Sequence, residues 1–301
     1  MKWRKLGKVY CADGQYSWAQ THAYIPTVEL IDDFFRVYVA FWNKKEVKRI
    51  GFVDIDAEDP TKVLDVSKLP VLDVGELGTF DEGGVTPTCI LTHDNLKYLY
   101  YIGWQPLTRL RRYLFTGLSI SKDKGRTFER YIQTPILERN DSERFIRSAL
   151  FVLKETNWFK GWYVSSNKII DINHNKVPSY NIKYTTSVDG IHWSTGVECI
   201  SLAGKNEFGL GRPFVLREDG IYKMFYSIRI IDEGYKIGYA ESKDGLIWER
   251  KDGEVGIGVS STGWDSEMIC FPYIMDYKNK RYMFYNGNDY GKTGFGAAIL
   301  E

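Results

Sequence analysis

The 301-residue sequence is poor in histidine, cysteine and proline, with four, four and nine of them. It has no stretch near the ~18 consecutive apolar residues that a membrane-crossing helix needs. Its apolar runs are short, as in Ala-Leu-Phe-Val-Leu at 149–153, so no membrane span is expected. Net charge is nearly absent: 40 Lys and Arg face 39 Asp and Glu, leaving +1. That balance carries no electrostatic footprint for nucleic acid or an anionic membrane. The amino-terminal MKWRKLGKVY lacks an apolar core, so no secretory signal is expected there and a cytoplasmic location is. Cys11, Cys89, Cys199 and Cys270 make no CxxC pair. No Cys/His cluster has zinc spacing. Reduced thiols, no metal site and no cofactor are therefore expected.

Aromatic residues are abundant: 21 Tyr, 16 Phe and 9 Trp, with 28 Gly. Flat side chains with turn-forming glycines favour strands over helices. The aromatics recur. Tyr-Val-Ala-Phe-Trp starts at Tyr38, Tyr-Tyr-Ile-Gly-Trp at Tyr100 and Trp-Tyr-Val-Ser-Ser at Trp162, with Met-Phe-Tyr at Met224 and Met283. The spacing is close to sixty residues throughout. A strand, a turn and an aromatic residue follow most copies, as in 182–194 and 237–250, where Asp189-Gly190 and Asp244-Gly245 mark tight turns. A short apolar run precedes each copy, often with Pro, as at 22–30, 81–91, 144–153, 211–219 and 267–276.

Each unit therefore contains four strands, and five units cover the chain. Repeated four-stranded sheets close into a propeller, which leaves few exposed edges. The expected fold is all-β: one five-bladed β-propeller domain over 1–301, with four antiparallel strands per blade. The last unit ends at Glu301 without an outer strand. Trp3-Arg4-Lys5 resembles the Trp248-Glu249-Arg250 of an outer strand. The amino-terminal segment is expected to supply the missing strand and close the ring.

The order of apolar inner strand, aromatic second strand and strand-Asp-Gly-Trp hairpin resembles the five-bladed glycoside hydrolase propellers of families 43, 32, 68 and 130. Segments 78–88, 100–104, 211–215 and 285–296 look like a branch of that superfamily associated with surface-polysaccharide biosynthesis. The resemblance implies a carbohydrate-active enzyme working on a glycosidic or sugar-phosphate bond in a central pocket. The ligand would be a small carbohydrate or nucleotide sugar. A non-catalytic sugar-binding propeller and a protein-interaction scaffold are the alternatives. Oligomeric state is left open. Ser121–Phe128 also matches the Asp-box turn of sialidases, a structural device.

In such a ring the heads of the inner strands converge. Glycosidic cleavage needs one carboxyl group as proton donor and a second to activate water or attack. Asp81, between Gly-Thr-Phe and Glu-Gly-Gly, is the first candidate, with Asp265 or Glu267 as partner. The family-43 pair itself is missing. The first inner strand opens on Gln20-Thr21-His22 with no carboxylate, and the third on Arg144-Phe145-Ile146-Arg147. His22 is therefore a candidate replacement as base or ligand. Arg36, Arg147, Arg212 and Arg229 are candidates for binding an anionic sugar through forked hydrogen bonds, or for pairing with the acids. Glu82, Trp42, Trp104, Asn286, Asn288 and Tyr290 complete the expected substrate-binding rim.

Overall fold

The computed structural model describes residues Met1–Glu301. Twenty strands form it, with one turn of 3-10 helix at Asp252–Glu254 and one helical turn at Asn288–Gly291. No helix is long and apolar enough to cross a membrane.

After β1 (Trp3–Tyr10) the strands come in antiparallel quartets. The first is β2 (Thr21–Ile31), β3 (Phe34–Trp42), β4 (Lys48–Asp56) and β5 (Val63–Val66). The second is β6 (Val85–His93), β7 (Leu96–Pro106), β8 (Arg112–Ser121) and β9 (Glu129–Arg130). The third is β10 (Ile146–Lys154), β11 (Phe159–Ile172), β12 (Asn175–Ser187) and β13 (Val197–Ile200). The fourth is β14 (Glu207–Glu218), β15 (Ile221–Ile230), β16 (Lys236–Ser242) and β17 (Glu249–Arg250). Last come β18 (Cys270–Tyr277), β19 (Lys280–Asn286) and β20 (Phe295–Leu300), whose free edge is taken by β1. Short parallel pairings, β8 with β10 and β12 with β14, join the middle three quartets into one twelve-stranded sheet. The first strands of the quartets touch in a cycle: β2 on β6, β6 on β10, β10 on β14, β14 on β18 and β18 on β2.

The recurring aromatics explain how neighbouring quartets hold each other. Tyr100 Oη donates to the Gly190 carbonyl of the next quartet at 2.9 Å, and Trp162 Nε1 donates to that of Gly245 at 2.8 Å. Tyr38 Oη lies 3.0 Å from the Gly125 carbonyl. Gly125, Gly190 and Gly245 have φ of 79°, 75° and 81°, which glycine adopts without a side-chain penalty. Asp123, Asp189 and Asp244 close these turns by accepting backbone N–H bonds. The Asp-box turn at Ser121–Phe128 and the Asp189-Gly190 and Asp244-Gly245 turns are thus one device repeated in three quartets.

A second repeated contact lies inside the quartets. Tyr101, Tyr163, Tyr226 and Tyr285 each donate to a carboxylate, Asp81, Glu143, Asp252 and Asp265 respectively. Each acid also meets a cation: Arg130 on Asp81, Arg147 and Lys183 on Glu143, Arg250 on Asp252, and Lys5 on Asp265. These tyrosines set the repeat register at Phe225 and Phe284, one residue later than the methionines at which the sequence pattern was aligned. Lys5 lies on β1, so the last latch ties the two chain ends together, while Trp3 packs edge-on to Phe225. All four cysteines are free; Cys89 and Cys270 are buried and Cys11 and Cys199 half-buried.

Candidate functional site

Every first strand is interrupted at the same place. Register shifts fall between Tyr24 and Thr27, Pro87 and Cys89, Ser148 and Phe151, Gly211 and Phe214, and Cys270 and Tyr273. Such bulges re-aim side chains and bend a strand. In four of them a non-glycine residue has left-handed backbone: Ile25 (φ 53°), Ala149 (54°), Arg212 (45°) and Phe271 (57°). For β-branched or bulky residues this conformation is strained. Prolines follow three of them, at 26, 213 and 272, and Pro87 occupies the β6 bulge. Proline, lacking an N–H, is tolerated where the ladder is broken.

The four strained residues share a destination. All line a central cavity of about 300 Å³. Aromatic walls come from Tyr24, Trp42, Trp104, Phe145, Tyr180, Tyr235, Phe271 and Tyr290, and the β11–β12 hairpin adds Ile169, Lys176, Val177 and Pro178. One wall is a column of alternating rings and cations. The His22 ring stacks on Trp42 at 3.9 Å, Lys48 Nζ lies 4.0 Å from Trp42 and 4.7 Å from Trp104, and Arg112 covers Trp104 at 4.5 Å. Burial, with Lys292 and Lys48 nearby, lowers the His22 pKa to about 4. Burial and Arg112 lower that of Lys48 to about 7.

The charges lining the cavity are all of one sign. Arg111, Arg112, Lys176, Arg212 and Arg229 line it, and no Asp or Glu does. Arg111 and Lys176 pair outward with Glu46 and Asp171, and arginines elsewhere, such as Arg36, Arg130 and Arg250, also meet carboxylates. Arg112, Arg212 and Arg229 meet none. Arg212 is 1% exposed and donates to the carbonyls of Pro272 and Pro26 and to Thr27 Oγ1. Its Nε–H and that of Trp42 Nε1 are buried without a partner. Burial lowers the Arg212 pKa to about 10, and burial with Arg111 beside it does the same for Arg112. Arg229 lies between the rings of Phe208 and Tyr235, at 4.5 and 5.8 Å, and Tyr235 shares a 2.9 Å hydroxyl contact with Tyr180.

The expected site residues divide sharply. Trp42, Trp104, Arg212, Arg229 and Tyr290 line the cavity. Asp81 does not: it is fully buried and accepts from Thr79, Tyr101 and Arg130 at 2.9, 3.0 and 2.8 Å. Asp265 is likewise buried, held by Lys5 and Tyr285 at 2.7 and 2.9 Å. Glu267 is exposed. His22 stacks behind Trp42, its Nδ1 2.9 Å from Thr21 Oγ1. Arg36 is bound to Asp54 at 2.7 Å, and Arg147 stands beside Glu143 at 3.1 Å. Glu82 accepts from the Gly78 N–H. Asn286 and Asn288 bind backbone, at Ile25 and Ala23 and at Glu267 and Gly263 respectively. Tyr24, Arg112, Tyr180, Tyr235 and Phe271 were missed by sequence reasoning. The proline at four of the five bulges, Pro272 among them, was the signal that could have found Phe271. No group of three or more His, Cys, Asp or Glu is gathered as metal ligands.

No family model matches the chain. It is similar over its whole length to the uncharacterized protein Rv1502 of Mycobacterium tuberculosis strain ATCC 25618 / H37Rv, 34% identical over 303 residues and covering 100% of each. The chain belongs to the family of that protein. MT1551 of Mycobacterium tuberculosis strain CDC 1551 / Oshkosh is related to the same degree and over the same span. Among solved structures, a glycoside hydrolase matches 99% of the chain and 92% of its own, with TM-score 0.75 and 17% identity. A thermostable family-43 glycoside hydrolase matches with TM-score 0.70 and 16% identity, over 95% and 91% of the two chains. The Bombyx mori GH32 beta-fructofuranosidase BmSUC1 matches at 0.62 and 14%, over 93% and 61%. The likeness is one of fold: the Rv1502 family has a glycoside hydrolase-like all-β architecture.

Proposed function

We propose that the five quartets are blades of one propeller domain over 1–301, closed by β1, and that its central cavity binds an anionic carbohydrate. The cycle of contacts between first strands supports the ring. One observation carries the ligand: the buried Arg212 and the half-buried Arg112 and Arg229 line an aromatic cavity and form no ion pair with a carboxylate. A buried cation is costly unless paired, and forked guanidinium groups suit carboxylate or phosphate. Aromatic faces suit the apolar side of a sugar ring. An acidic sugar, a sugar phosphate or a nucleotide sugar meets both requirements. Following the resemblance to the polysaccharide-biosynthesis branch, we place this ligand in cytoplasmic sugar metabolism.

In this reading Asp81 and Asp265 each brace one blade from within, and the cavity itself offers no carboxyl pair for hydrolysis. Calorimetric titration with glucose, glucuronic acid and glucose 6-phosphate tests it. The charged sugars should bind at least about tenfold more tightly than glucose, a difference of about 1.4 kcal/mol, and Arg229→Gln should erase the preference. Equal affinity for glucose overturns the anionic reading. The glycoside hydrolase fold favours a second reading, with Asp81 as acid, Asp265 or Glu267 as partner and His22 assisting. It requires an acid to leave its latch. Turnover of aryl glycosides that a folded Asp81→Asn protein has lost would establish it.

A further inference from the structure

A second cavity of about 180 Å³ adjoins the central one, and the two share Arg229, Tyr235 and Tyr290. We propose that it seats an apolar aglycone on the same ligand, lying across Tyr290. This rests on the carbohydrate reading of the central cavity and specifies what the sugar is attached to.

Three observations converge. First, Ile172, Phe208, Ile230, Ile231 and Met268 line the second cavity beside Arg229, Asp232 and Glu233. Its two acids are already engaged: Asp232 accepts from Asn173 at 3.2 Å, and Glu233 pairs with Lys236 at 2.6 Å. An apolar group set against those five side chains needs no hydrogen-bond partner from them.

Second, Tyr290 stands between the cavities on strained backbone. Asp289 and Tyr290 are consecutive left-handed residues, with φ of 51° and 57°. Tyr290 is nevertheless 38% exposed and edge-on to Tyr235 at 5.4 Å. Strain that presents an open aromatic ring between two cavities is the kind found at ligand clamps.

Third, β11 and β12, of 14 and 13 residues, outreach their counterparts β7 and β8, of 11 and 10. Beyond the irregularity between Ser165 and Lys168, the extension turns Ile169, Val177 and Pro178 to the central cavity and Ile172 to the second. Its tip is fastened at Asp232. One wall therefore runs along both cavities.

The test is titration of the intact protein with methyl and phenyl glycosides of glucose, galactose and glucuronic acid, and with cellobiose. For the sugar that binds, the phenyl glycoside should bind roughly tenfold or more tightly than the methyl glycoside. Ile172→Asp and Met268→Asp, both at half-buried positions, should each bring that ratio to about one. Equal binding of methyl and phenyl forms overturns the aglycone proposal and leaves the carbohydrate reading standing. Tighter binding of cellobiose than of phenyl glucoside, or a ratio unchanged in both variants, also overturns it. If no glycoside binds, both readings fall together.

Discussion

The buried and half-buried charges fall into two regions that follow opposite rules. Inside the quartets, Asp81, Glu143, Asp252 and Asp265 each meet a tyrosine hydroxyl and a cation. Around the cavity, Arg112, Arg212 and Arg229 meet rings, carbonyls and hydroxyls but no acid. The first region is electrostatically paired, and its Asp81, Glu143 and Asp265 are buried. The second is incomplete and open to a ligand. Compensated charge in this molecule serves the fold, and uncompensated charge lines the cavity proposed to bind a ligand.

Removing parts of each region should show the contrast. Deleting residues 1–10 strips β1, exposes the β20 edge and breaks the Lys5–Asp265–Tyr285 latch. The loss should approach the whole stability of a domain, about 5–15 kcal/mol, and the product should fail to give a cooperative thermal transition. A deletion product that melts within a few degrees of the full chain would refute the closure by β1.

Asp81→Asn leaves Arg130 without its counter-charge and should cost about 3–5 kcal/mol, as broken buried pairs do. Denaturant unfolding measures this, and sugar affinity of the folded fraction should not change. A smaller loss, with altered affinity, would move Asp81 from the first region to the second.

His22 gives a pH test. Its folded pKa of about 4 lies below the ordinary 6.5, so between those values the unfolded chain binds more protons. Stability should rise with pH across that window and flatten above it, by at most about 3 kcal/mol. His22→Asn suits the left-handed backbone at this position, where φ is 65°, and should remove that slope.

Arg112→Gln and Arg229→Gln should have the smallest effect on stability, within about 1 kcal/mol or slightly favourable, because no partner is orphaned. Both should weaken binding of a charged sugar. Destabilisation on the scale of Asp81→Asn would place them with the latches.

The period, the quartets and the role of Trp3–Tyr10 were legible because strand patterns and turns are local. So were Trp42, Trp104, Arg229 and Tyr290, which sit at strand ends or in the turn that follows. Asp81 and Asp265 precede β6 and β18 by a few residues, yet their side chains are buried away from the cavity. Asp81 is set by Tyr101 and Arg130, twenty and forty-nine residues away, and Asp265 by Lys5 at the other end of the chain. Tyr180 and Tyr235 reach the cavity only because the β11–β12 extension and the turn after β15 bend over it. No local spacing encodes that approach.

The sequence by itself determined a repeating all-β chain with an aromatic and a turn in most units, because alternation and glycine turns act over a few residues. Tertiary structure decided which charges were paired. Whether an acid finds a tyrosine and a cation, or an arginine is left facing a cavity, depends on bulges that re-aim side chains and on neighbours brought together from distant units.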